Sequence, residues 1–332
     1  MRNRTLDMVK AICAYAVVLL HVHFPGNAGI IANVLARFAV PVFFMVSGYF
    51  CFRGDDTEFI RTGKKIRHVL KLMLVAFPVC CLWELIQNHI DGASQKEWLE
   101  ALVSGEHIRQ FLLYNNSSQV KWHLWFLPAL LYCYLLFALA ARFRICKQAY
   151  VLIPVLLLIH FGMEEFSTFL FPEKHFRVMQ FRNYLFTGFP FFMLGHLIHR
   201  HQEKLEDWFA GKKVLLLYGT AAGGVIVSLL EYRYFGKQEL FMGSVLMAVG
   251  LFLIAIMEKD RKVPELPVAI GQKYAFFIYL FHLCVADILK DVAVAAGIEK
   301  NLLYLWMRPV MVCVFVTAVA VMYGYGMRIC RK

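Results

Sequence analysis

The sequence predicts an all-α, polytopic membrane protein with about ten transmembrane helices around a polar cavity. Three observations carry that expectation. Of its 332 residues 60% are hydrophobic and only 17% charged, and the mean hydropathy is +0.58, a composition beyond that of soluble domains. Apolar stretches of about 17–25 residues, the length that crosses hydrocarbon, recur along the whole chain. Lys and Arg also sort by loop: with both termini in the cytoplasm, twenty-one fall in inner loops and nine in outer ones, the asymmetry that orients a chain in a bilayer. The formal charge of +12 then belongs to topology. No basic, aromatic-interleaved soluble module points to nucleic acid, and residues 1–332 read as one membrane domain.

The first stretch, 7–24, holds Asp7, Lys10 and His21. These charges and the lack of a small-residue cleavage site argue against a removable signal peptide. The second, 29–52, carries Arg37 and ends Pro41-Val-Phe43-Phe44-Met-Val-Ser47-Gly48-Tyr49. A basic loop containing Arg53, Arg61, Lys64, Lys65 and Arg67 leads into the third, 67–90. The fourth, 122–142, opens Trp122-His123-Leu124-Trp125-Phe126-Leu127-Pro128, and the fifth is 146–163. The sixth, 184–200, contains Phe191-Phe192-Met193-Leu194-Gly195; the seventh and eighth are 213–231 and 239–257. The ninth, 274–295, contains Ile278-Tyr279-Leu280-Phe281-His282, and the tenth is 303–328. Between them the longest pieces are 91–121 and 164–183, both outer. The first includes an amphipathic run (Trp98, Leu99, Leu102, Val103, His107, Phe111, Leu112) suited to the membrane surface as a lid or acceptor platform.

Several chemistries lack their residues. The nine cysteines are scattered, with no Cys-x-x-Cys and no Cys/His spacing that would hold zinc. There is no phosphate-binding Gly-x-x-x-x-Gly-Lys-Ser/Thr loop and no Gly-x-Ser-x-Gly nucleophile elbow.

The first stretch carries the chemistry that remains. Lys10 and His21 are eleven residues apart, which on a helix is three turns plus about 20°, so they share a face about 16 Å apart along the axis. Ionisable groups at membrane depth are expensive and mark function. Histidine is the side chain suited to proton transfer near neutral pH. His23 points about 200° away and reads as an interfacial packing residue. Ser47-Gly48 reads as a close helix contact, and Arg37 needs either a buried ion-pair partner or a substrate.

Taken in order, the Lys10/His21 spacing, Phe43-Phe44-x-x-Ser47-Gly48-Tyr49, the basic pair after it, Trp125-Phe126-Leu127 and Ile278-Tyr279-Leu280-x-His282 resemble the acyltransferase-3 family of bacterial integral-membrane acyltransferases. The resemblance covers essentially the whole chain. The family's R-x-x-R pair would fall on Lys64 and Arg67, with Lys65 and His68 as the other register. No soluble hydrolase-like segment follows the tenth stretch, as in a membrane-only form.

The resemblance implies transfer of an acyl group, most often acetyl, from acyl-coenzyme A to a hydroxyl of an envelope glycan or glycolipid, at the bacterial plasma membrane. Acetyl-coenzyme A would be a co-substrate and no cofactor would be permanently bound. His21 would act as base or acyl relay, with Lys10 paired to Asp7 or meeting donor phosphate. Lys64, Arg67 and Arg37 would bind the donor, and Tyr279, His282, His123 and Trp125 would line the cavity. Two other functions fit the buried charges: a transporter or flippase, and a substrate-presenting membrane domain without turnover of the kind fused elsewhere to amino-acid racemases.

Overall fold

The computed structural model describes residues 3–54, 58–259 and 261–329, and among them it has helices and no strand. Arg2, Arg331 and Lys332, counted above with the inner charges, lie outside the described residues, as does Cys330. In chain order the helices begin α1 (Arg4–His21), α2 (Gly26–Ala36), α3 (Ala39–Tyr49), α4 (Glu58–Ile90), α5 (Gln95–Leu102) and α6 (Gly105–Tyr114). A 3₁₀ turn at Trp122–Trp125 leads into α7 (Phe126–Arg142), followed by α8 (Cys146–Ala149), α9 (Leu152–Met163), α10 (Ser167–Leu170) and α11 (Val178–Phe181). After a π-helical turn at Tyr184–Gly188 come α12 (Phe189–Arg200), α13 (Gln202–Trp208), α14 (Val214–Phe235) and α15 (Met242–Met257). The chain ends with α16 (Glu265–Lys273), α17 (Ala275–Ala295) and α18 (Leu302–Ile329).

Six segments among the described residues, not ten, are long and apolar enough to cross a membrane: 26–49, 58–90, 122–142, 146–163, 211–235 and 302–326. The other four expected spans fall short for identifiable reasons. Helix α1 carries Arg4, Asp7 and Lys10 within 18 residues, and α17 carries Asp287, Lys290 and Asp291. Helix α15 has only 16 residues. The stretch 184–200 is divided between the π-helical turn and the 12 residues of α12, where Pro190 removes one donor and its ring opposes the carbonyl four residues earlier. The same effect of Pro41 on the Arg37 carbonyl accounts for the break between α2 and α3.

The described residues fall into two compact units, one within 1–43 and 203–332 and the other within 44–202. In the first, α1 is gripped at its start. Asn3 caps it by accepting from the Leu6 amide and donates to the Ala255 carbonyl at the end of α15, while Thr5 donates to the Glu258 carbonyl. Gly271 of α16 lies against the Asp7 backbone so closely that an added Cβ would stand 1.7 Å from the Asp7 carbonyl oxygen. Small and branched side chains from α1, α17 and α18 (Ala14, Val18, Ile278, Ala286, Val312, Val316) complete a buried core. Between α14 and α15, the buried Glu231 carboxylate accepts from the amides of Met242 and Gly243, both at 2.9 Å, satisfying donors that a helix start leaves open.

In the second unit α3 and α12 touch backbone to backbone. A Cβ on Gly48 would meet the Phe192 carbonyl oxygen at 1.8 Å, and one on Gly195 the Met45 carbonyl oxygen at 1.9 Å. Ser47-Gly48 is thus a close helix contact, as the sequence suggests. Asn183 accepts from the Leu185 and Phe186 amides at the π-helical turn. Beside it the fully buried His160 lies 3.0 Å from Glu164 and 3.2 Å from the Thr187 hydroxyl. The amphipathic run forms α5 and α6, capped by Ser94 and Ser104. They leave Leu99, Val103, Ile108 and Leu112 exposed, while the Trp98 indole donates to the Gln119 carbonyl.

Candidate active site

Because α1 is fixed at its N-terminus and packed along one side, the rotation of its polar face is set. Asp7 sits in the first turn, where the helix dipole favours a carboxylate, and its neighbour Gly271 leaves no room for α1 to turn. Lys10 Nζ donates to Asp7 Oδ1 at 2.9 Å, with 23% and 10% of the two side chains exposed. The pairing gives each of the two side chains a partner of opposite charge, as ionisable groups on an otherwise apolar helix require. Farther along, the Tyr15 hydroxyl pairs with the Thr317 hydroxyl of α18 at 2.8 Å, a second constraint on the same helix.

His21 ends α1 and is partly accessible. Its ring lies 5.4 Å from that of His282, tilted by 39°. His282 belongs to α17 and is fully buried. Its Nδ1 faces the Tyr279 carbonyl at 2.8 Å and the Ile278 carbonyl at 3.1 Å. A carbonyl oxygen only accepts, so Nδ1 carries hydrogen and Nε2 of the neutral ring is an acceptor. Tyr279 itself is 7% exposed.

Arg37 finds its partner. It is 8% exposed, donates from Nη1 to Glu239 at 2.6 Å and from Nε and Nη2 to the Asn33 side-chain oxygen. The Asn33 amide nitrogen donates in turn to the Leu20 carbonyl and lies 3.0 Å from His23 Nε2. The ion-pair reading of Arg37 is the one found, and Asn33 and Glu239 are residues that sequence reasoning missed. The spacing of Asn33 and Arg37, one helical turn, was a usable signal; Glu239 offered none.

The remaining expected site residues belong to the second unit. Lys64, Arg67 and His68 are exposed on α4, Arg67 donating to its own helix at the Gly63 carbonyl. Lys65 turns inward: it donates to the Phe50 carbonyl at 2.6 Å, lies 3.4 Å from the Cys51 sulfur and stands over the Tyr134 ring. Lys65 is therefore engaged in holding the chain after Tyr49, and the accessible pair is Lys64 with Arg67. His123 and Trp125 are buried in the 3₁₀ turn, 2% and 8% exposed. The Arg182 guanidinium lies 5.4 Å above the Trp125 ring and 5.9 Å above that of Trp122, a cation–π contact between segments too far apart for sequence to pair. Among the described residues no group of three or more His, Cys, Asp or Glu could hold a metal ion.

Comparison with known proteins adds three findings. A family model described as an acyltransferase domain, that of the acyltransferase-3 family, matches residues 3–325. A serine/alanine racemase of Enterococcus gallinarum is 27% identical over 217 residues, 61% of this chain and 30% of that protein. The chain thus aligns with under a third of the curated relative's length. No solved structure matches. With a match from end to end, the chain belongs to the acyltransferase-3 family, and that membership together with its apolar helices supports a membrane acyltransferase.

Proposed function

We propose that this protein moves an acyl group, acetyl in the first instance, from acyl-coenzyme A to a hydroxyl of an envelope carbohydrate or glycolipid, with His21 as the base. The observation that carries this proposal is α1 itself. One apolar helix, fixed against α16 and α18, presents a Lys10–Asp7 pair and a partly accessible imidazole. An acceptor hydroxyl is a poor nucleophile until its proton is removed, and a neutral imidazole does that at ordinary pH. As the proton passes to His21, the hydroxyl oxygen bonds to the acyl carbon and the carbon–sulfur bond breaks. The proton then goes to the departing thiolate, so His21 ends as it began.

Lys64 and Arg67, exposed on α4, suit the phosphates of coenzyme A. With the plasma-membrane placement that the family suggests, the loop charges favour both termini and this pair on the cytoplasmic side. No resident cofactor is needed for the step. The test is purified protein in lipid nanodiscs, given acetyl-coenzyme A and short hydroxylated glycans. Free thiol should appear in proportion to acetylated glycan by mass spectrometry, and neither should form without protein. Transport of an intact glycan or amino acid with no thiol released would overturn the proposal.

A further inference from the structure

We propose that Arg308, with Lys237, holds an anionic group of the acyl acceptor, a phosphate or carboxylate, beside His21. This rests on the reading of His21 as the base and names the class of acceptor, a negatively charged one. Arg308 lies on α18 in a segment apolar enough to cross a membrane, and its guanidinium stays charged at any working pH. It is poorly supplied with partners. Nη2 reaches the Ala286 carbonyl of α17 at 3.5 Å, longer than an ordinary N–H···O bond, and Nε is buried with no hydrogen-bond partner. A charged group left so in an apolar setting costs stability. An interfacial anchor would extend its whole head into water; here Nε is buried and Nη2 points to α17. Nε and Nη2 form one edge of the guanidinium, the fork that takes two oxygens of a phosphate or carboxylate.

Three observations bring this guanidinium to the end of α1. Ala286 is one turn along α17 from His282, whose ring lies 5.4 Å from that of His21. Trp306, two residues before Arg308, packs its ring 5.9 Å from that of Phe24, three residues after His21. The His23 ring feels the charges of Lys237, Arg37 and Arg308 together, so cations from the end of α2, from α18 and from the 236–241 loop gather around the chain that follows His21. Arg37 is neutralised by Glu239 at 2.6 Å, and that ion pair anchors the loop carrying the exposed Lys237. Arg308 and Lys237 are the surplus charges. Asp291 of α17 acts on Tyr304 together with Arg308 and offsets part of the surplus; an incoming oxyanion balances the remainder. On the orientation proposed above, this end of α1 faces outward, the side from which an envelope acceptor arrives and coenzyme A does not. Held at Arg308 by its charge, such an acceptor presents a neighbouring hydroxyl to His21 in a fixed geometry.

The test measures binding by calorimetry to the full chain in phosphatidylcholine nanodiscs, without acyl-coenzyme A, so that it does not depend on transfer. Wild type should bind glucose 1-phosphate and glucuronate roughly tenfold or more tighter than glucose, the scale of charge-assisted hydrogen bonds. Arg308→Gln should abolish that preference, and Arg308→Lys, which keeps the charge but not the fork, should retain part of it. Lys237→Gln, at an exposed position and so harmless to folding, should lower the preference by a smaller factor that shrinks with salt. Should Arg308→Gln fail to fold, Arg308→Lys and Lys237→Gln decide on the same readout. No preference in the wild type, or one unchanged in the variants, overturns the proposal. So does competition by coenzyme A, which would make this a donor site, or a response to phosphatidylglycerol nanodiscs alone, which would make it a lipid site. If the preference depends on Arg308 and yet acetyl-coenzyme A releases no thiol, the anion site stands and the acyltransfer reading fails. If neutral and anionic sugars are acetylated alike by the wild type and by Arg308→Gln, the acyltransfer reading stands and this proposal fails.

Discussion

At the scale of single residues, Lys10 and His21 were legible because helix periodicity alone puts them on one face. What stands behind them was legible in part. Asp7 could be paired with Lys10 by its three-residue spacing, and His282, whose ring centroid lies 5.4 Å from that of His21, was named through the family motif, but Gly271, which seats that turn of α1, lies hundreds of residues away on a helix whose packing no local pattern specifies. The Lys10–Asp7 pair leads to a graded expectation. A hydrogen-bonded charged group contributes about 1.5–3 kcal/mol, so Lys10→Met should cost roughly tenfold or more in kcat/KM, and Lys10→Arg, which keeps the charge, should cost less. Steady-state kinetics on the two variants decide the point; equal losses would mean that the site needs an ammonium group specifically.

The second scale is that of elements. Hydropathy found the long helices, but only six segments among the described residues are long and apolar enough to cross by themselves: α1 and α17 carry three charged residues each, α15 has 16 residues, and the π-helical turn before Pro190 divides 184–200. Composition over a window cannot register a lost backbone donor. The Arg37–Glu239 pair is the clearest case of an element held by a contact that sequence left half stated: the buried arginine announced a partner and did not name it. Removing one member of a buried pair costs about 3–5 kcal/mol. Arg37→Met should therefore lower the thermal midpoint of detergent-solubilised protein by several degrees, and adding Glu239→Met should restore part of the loss. A double variant less stable than the single one would show that the pair does not hold α2 in place.

For the whole molecule, family, helical class and membrane character were legible in the order of short motifs and in composition, each weak alone. The basic pair after α3 shows where that legibility ended: two registers fitted the spacing, and the inward turn of Lys65 toward the Phe50 carbonyl and Cys51 leaves Lys64 and Arg67 as the accessible cations. Replacing both with Ala should weaken acetyl-coenzyme A binding at low salt. The difference from wild type should shrink as ionic strength rises past 0.15 M, where the screening length falls to about 8 Å. Binding unchanged at every salt concentration, with topology verified by a reporter, would make the pair an orientation signal alone. The most direct test of acyl transfer through α1 is to measure labelled acetyl moved from acetyl-coenzyme A to a hydroxylated glycan by purified wild type and His21→Gln at matched thermal stability. The expected result is transfer by the wild type and loss of at least a hundred-fold in the variant, the scale of a general base. Wild-type transfer by His21→Gln would contradict it.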